Sequence, residues 1–224
     1  MKTTLLLLAG LLIAAAPQAP VTFARTYKVG EVDKYKLDLD VQGIVHYQMQ
    51  AEIVRTVKKT YDDGSADIET TVQDVHAKVN GEDQPSQGLA PQPATRKFDK
   101  SGAPIGGDPN PNGLDFMRFA AILPAKPIGE GGKEPVSVVD PDHPTSAIVG
   151  NITLDSVKDG KANLSADLTV SDGSHQQPMK VKSKSIVDIA SGKLDTIDGT
   201  LDTIPGLESL QIKSAKFTIT REQS

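Results

Sequence analysis

Cysteine and tryptophan are both absent from this chain, and its aromatic side chains amount to four tyrosines and five phenylalanines. Without cysteine there can be no disulfide, no thiolate metal site and no lipid-modified cysteine. So few aromatics, none of them indole, argue against a platform for stacking sugars. Lys and Arg are scattered, and no basic cluster interleaves with aromatics, so no nucleic-acid partner is expected. Beyond the N-terminal residues no run is long and apolar enough to span a bilayer.

The exception at the N terminus has its own logic. Met1-Lys2 is a short basic start, and Leu5 to Ala16 is an unbroken apolar and small-residue run. That pattern predicts a secretory signal peptide. Ala16 and Ala19 are each followed by proline, which disfavours cleavage there, so removal of residues 1–24 after Thr22-Phe23-Ala24 is expected. With Lys2 gone, 23 basic side chains face 29 acidic ones, and the formal charge moves from −5 to −6. An exported chain without disulfides points to a bacterial periplasm or the extracellular space. Asn151-Ile152-Thr153 and Asn163-Leu164-Ser165 match a glycosylation sequon, but they read as ordinary strand residues in that setting.

What is abundant is alternation. Tyr35, Leu37, Leu39 and Val41 alternate with Lys36, Asp38, Asp40 and Gln42, which places the apolar groups on one face of a strand. Val45, Tyr47, Met49, Ala51 and Ile53 repeat the pattern. After Tyr61-Asp62-Asp63-Gly64-Ser65, Ala66, Ile68, Thr70 and Val72 carry it on. A two-residue loop at Asp63-Gly64 predicts Arg55 opposite Val72. Keeping the faces in phase then requires a β-bulge near Gln73-Asp74, with Val75 opposite Ile53 and His76 opposite Glu52.

From Glu82 to Gly113 proline, glycine and glutamine dominate, with one short strand at Thr95 to Phe98. Leu114 to Leu123, ended by Pro124, reads as a short helix, apolar nearly all round and therefore buried. A second β run follows. Around Lys158-Asp159-Gly160 the faces agree only if Leu154 meets Leu164, Ile152 meets Ala166 and Ile148 meets Val170, which predicts a three-residue loop. Strands at Met179 to Ile189, Leu194 to Thr203 and Leu210 to Thr220 complete the chain, the last with a bulge near Lys213-Ser214. Asp63-Gly64-Ser65-Ala66 and Asp159-Gly160-Lys161-Ala162 resemble one another, as do Asp99-Lys100-Ser101-Gly102 and Asp188-Ile189-Ala190-Ser191-Gly192, which suggests two related halves.

No nucleophile elbow, phosphate loop, zinc-protease helix or calcium loop is present. Asp140-Pro141-Asp142-His143 brings oxygen and nitrogen donors together, but its spacing fits a turn better than a metal site. His46 and His76 fall on polar strand faces, and His175 follows an Asp-Gly turn. Catalytic, cofactor-binding and metal residues are accordingly not assigned, and no cofactor is expected. The chemistry-neutral candidates are Phe116, Met117, Phe119 and Leu123, which either plug a curved sheet as core or line a pocket for an acyl chain or other apolar ligand.

The Lys28-Val29-Gly30-Glu31-Val32-Asp33-Lys34-Tyr35 opening, the Asp62-Asp63-Gly64-Ser65-Ala66 turn and Leu123-Pro124 resemble those of uncharacterised secreted bacterial β-rich proteins, a family that implies no activity. A curved antiparallel sheet with an apolar helix is also similar to the half-barrels of periplasmic lipoprotein and lipid carriers, which implies a lipid cavity between helix and sheet. The expected molecule is mainly β, a strongly curved antiparallel sheet of two repeated halves, residues 25–113 and 125–224, with a short buried helix at 114–124 between them. The expected function is that of a non-enzymatic envelope protein binding an apolar ligand, a lipid or a protein partner. The alternatives are a structural or interaction module with no pocket, and a hydrolase of unrecognised type.

Overall fold

A computed structural model describes residues 19–85, 91–106, 116–141, 143–172, 178–204 and 211–222. Among these residues one antiparallel sheet of twelve strands forms a nearly closed barrel. The first half holds β1 (Val32–Gln42), β2 (His46–Thr60), β3 (Ala66–Val79), β4 (Glu82–Gln84), β5 (Ala94–Phe98) and β6 (Pro104–Ile105). The second holds β7 (Lys133–Val139), β8 (Ser146–Lys158), β9 (Lys161–Asp172), β10 (Met179–Asp188), β11 (Leu194–Leu201) and β12 (Ser214–Arg221).

Across the sheet the strands run β6-β5-β3-β2-β1-β12-β11-β10-β9-β8-β7, with β4 beside β3. The chain therefore starts in the middle of the sheet, meanders to one edge, crosses to the other edge and meanders back. Pairing of β1 with β12, from Tyr35 opposite Arg221 to Gln42 opposite Ser214, joins the halves. The two halves share a meander topology, and the turns before β6 and β11 share a motif. Ser101 donates its amide and hydroxyl to Asp99 Oδ1 at 2.8 and 2.7 Å, and Ser191 does the same to Asp188 Oδ1 at 2.8 and 2.6 Å.

The period-two pattern sorts the side chains as expected. Tyr35, Leu37, Leu39, Val41, Ile53, Ile152, Leu154, Leu164, Val181, Ile197 and Ile219 point inward and are buried. Full burial of each such aliphatic side chain contributes about 1.5–3 kcal/mol.

The two central hairpins exchange the loop types expected of them. At Asp63-Gly64 the loop has three residues, closed by Tyr61 N–H to Ser65 C=O at 2.9 Å. Ile53 then faces Val72, Arg55 faces Thr70, and His76 faces Gln50, while Glu52 faces Gln73. A bulge does occur between Gln50 and Glu52, where Asp74 adopts φ 51°, and a second lies between Val57 and Lys59. At Asp159-Gly160 the loop has two residues, with Lys158 opposite Lys161. The expected pairs of Leu154 with Leu164, Ile152 with Ala166 and Ile148 with Val170 are present, because a bulge between Leu154 and Ser156 restores the phase.

The helix is shorter than its apolar run suggests. Among the described residues of that run only Met117–Ala120 is helical; Leu114 and Asp115 lie outside the described residues. Phe116, at the N-cap position, has no capping side chain, no acidic residue occupies the first turn, and Ala121 leaves the helical region at φ −105°, ψ 10°. Such a turn is held by packing, not by propensity. The last strand starts late, at Ser214, after Gln211 at φ 46°, so Ile212 precedes the strand and the expected bulge near Lys213-Ser214 is a strand boundary.

Candidate functional site

Three places can be built from the residues upward: the apolar plug, a polar cluster at one end of the barrel, and the outer waist of the sheet. The plug consists of Phe116, Met117, Phe119 and Leu123, exposed by 2, 1, 5 and 3 %. All four belong to one core cluster that also takes in β1 and β8 to β12. The Phe116 and Phe119 rings lie 5.3 and 5.9 Å from the Phe217 ring of β12 and 5.9 Å from each other, in tilted and edge-on arrangements that suit aromatic quadrupoles. The Leu123 amide is tied to Ser101 C=O at 2.8 Å, and Arg118 donates from the same turn to Ser146. Neither of the two cavities described below has any of these four residues in its lining.

The polar cluster sits where the N-terminal segment crosses the end of the barrel. Arg25 is buried, with Asp33 at 3.2 Å and the Tyr27 ring centroid at 5.6 Å. Burial opposes the charge on Arg25, but Tyr35, Tyr27 and Asp33 outweigh it and raise its pKa. Lys193 reaches Asp33 at 2.8 Å and pairs with Glu31. Burial opposes its charge too, and the hydrogen bonds to Asp33 and Glu31 raise its pKa regardless. Arg55, also buried, stacks its guanidinium 4.5 Å over Phe98. The cluster fastens elements together with short charge-assisted contacts.

The waist follows from the coiling of the sheet. Twisted strands closing on themselves make a hyperboloid, concave on its outside at mid-strand. Two cavities of about 590 and 480 Å³ lie there, sharing Lys216, Phe217 and Thr218. Their outward side chains form two rows that follow the pairing register. One runs Lys133, Thr153, Ser165, Lys184, Asp198, Thr218, Asp38, Gln50, His76. The other runs Asn151, Asp167, Lys182, Thr200, Lys216, Asp40, Gln48, Lys78.

Within these rows Thr218 donates to Asp198 at 2.7 Å, Gln50 to Asp38 at 2.6 Å and Gln48 to Asp40 at 3.2 Å. The hydrogen bond from His46, 3.0 Å away, is the main cause that holds the Asp40 carboxyl below its usual range, with Gln48 and Gln42 adding to it. Lys182 and Asp167 pair loosely at 3.6 Å. Lys133, Lys184 and Lys216 have no ion-pair partner among the described residues. The floor is backbone: at Gly199 a Cβ would lie 2.4 Å from the Phe217 ring, so that ring lies flush over β11.

Among the described residues no group of three His, Asp or Glu could hold a metal ion. Asp140 accepts the His143 amide at 3.2 Å in a turn, while Asp142 and His175 lie outside the described residues. No described helix is long and apolar enough to cross a membrane. No family model, curated protein or solved structure matches the chain.

Sequence reasoning placed the plug residues together but missed the waist. Its members are legible singly as the polar half of each alternation. Their alignment depends on eight consecutive registers.

Proposed function

We propose that the protein is an exported, non-enzymatic binding module of the cell envelope, and that its working surface is the polar waist. The carrying observation is the pair of side-chain rows across β7 to β12, where Lys133, Lys182, Lys184 and Lys216 share a concave surface with Asp167 and Asp198. On a chain of net charge −5 this is a locally positive surface, and it suits an extended partner bearing carboxylates or phosphates. Charged groups at mid-strand on the outside, with aliphatics inside, are the reverse of a lipid-facing barrel. The signal-like N terminus supports export, and Phe217 beneath the groove supports a rigid platform.

A second reading rests on the plug. Phe116 and Phe119 sit on a single uncapped helical turn, which an acyl chain could displace. Native mass spectrometry of the protein purified from its own host's envelope separates the two. Co-purification of an anionic partner, lost at raised salt and in a Lys184→Glu/Lys216→Glu variant, supports the waist. Lipid retained by parent and variant alike supports the plug and overturns the waist.

A further inference from the structure

We infer that the working protein keeps Val21 to Ala24 and that its leader is removed upstream of them, not after Ala24. The inference rests on the proposal that the N terminus is an export leader, and it contradicts the cleavage position that the alanines alone suggest. Val21 and Ile128 form a two-way bridge, with Val21 N–H to Ile128 C=O at 2.8 Å and Ile128 N–H to Val21 C=O at 2.9 Å. Phe23 is 4 % exposed and belongs to the main core cluster. Ala24 and Arg25 run so close past the turn before β11 that a Cβ on Gly192 would lie 3.0 Å from Ala24 O and Arg25 N. The Arg25 amide donates to Lys100 C=O at 2.7 Å.

Hydrolysis of the Ala24–Arg25 bond adds water across it, leaving a carboxylate on Ala24 and an ammonium on Arg25. The ammonium would be generated beside a buried guanidinium, and burying a second like charge there is unfavourable. Release of Phe23 would leave its volume in the core unfilled, and Ile128 would lose both bridge bonds. Ala19 and Pro20, by contrast, are exposed. Ala14 and Ala15 are the nearest upstream alanines not followed by proline, so the expected first residue is Ala15 or Ala16.

Intact-mass measurement and N-terminal peptide sequencing of the protein recovered from its producing cells test this. Any first residue from Ala15 to Pro20 supports the inference, and Arg25 overturns it. A chain still starting at Met1 overturns the leader reading together with the processing step. The packing claim has a separate test, in chains released from a cleavable fusion so as to begin at Ala19 or at Arg25. The Arg25 chain should melt roughly 10 °C lower or fail to fold, and Phe23→Ala in the longer chain should melt lower as well. Equal melting temperatures for all three overturn the structural role of the segment.

Discussion

The Asp188 carboxylate shows how a single turn residue affects this fold. Its Oδ1 accepts two bonds from Ser191, and those bonds, the side-chain one first, hold its pKa below the usual carboxylate value, aided by Lys161 and Arg221 and opposed by burial. A depressed carboxylate stabilises the folded state fully above the unfolded pKa, about 3.9, and loses that contribution as pH falls through the folded value. Ser191→Ala removes the hydroxyl donor and leaves the backbone donor. The variant should lose about 0.5–1 kcal/mol at neutral pH, a modest figure because the site is solvated. In the variant Asp188 should titrate nearer its ordinary value, and the stability gap should narrow as pH falls through the depressed folded pKa of the parent. Carboxyl NMR titration and urea melts at two pH values measure both effects. An unchanged Asp188 titration would show that the hydroxyl does not hold the carboxylate.

Among the elements, the β8–β9 hairpin turns on backbone conformation alone. Asp159 and Gly160 both have positive φ, 51° and 74°, as a primed two-residue turn requires, and nothing lies within 4 Å of a Cβ built on Gly160. Gly160→Ala therefore tests conformation without steric clash and should cost about 1–2 kcal/mol. Gly160→Asn should cost clearly less, since asparagine tolerates that region. Thermal melts ranking the two variants equally would sink the explanation.

The same hairpin marks what could be seen in the sequence. Face alternation identified Leu154–Leu164 and Ile152–Ala166 because a slip of one residue would turn every aliphatic to solvent. Alternation constrains only the sum of loop and bulge, so it could not divide the extra residue between Gly160 and the Leu154–Ser156 bulge. At Asp63-Gly64 the same ambiguity led to the wrong pairs. The helix was overdrawn because Phe116 to Leu123 is apolar enough to be buried in any backbone. The waist stayed out of reach, since Lys184, Asp198 and Thr218 become neighbours only when β10, β11 and β12 are laid side by side.

At the scale of the whole molecule, the decisive contact is between the first and last strands. β1 and β12 pair over their shared length, and Phe217 of β12 packs against Phe116 and Phe119 from the crossover between the two edges. The main core cluster takes residues from both meanders, and only a small satellite of Val57, Ala66, Ile68 and Phe98 lies wholly within the first. One cooperative transition is expected, and the distribution of tyrosine provides a probe for it. All four tyrosines, Tyr27, Tyr35, Tyr47 and Tyr61, belong to the first half, and there is no tryptophan. Near-UV circular dichroism of tyrosine thus reports the first half, while far-UV reports the strands of both. Leu154→Ala, in the fully buried centre of β8 in the second half, should cost about 2–5 kcal/mol. If the sheet melts as one body, the variant's tyrosine signal should move by as much as its far-UV signal, although residue 154 touches a different half of the sequence. A tyrosine transition left at the parent's midpoint while the far-UV transition moves down would mean that the β1–β12 seam does not couple the halves.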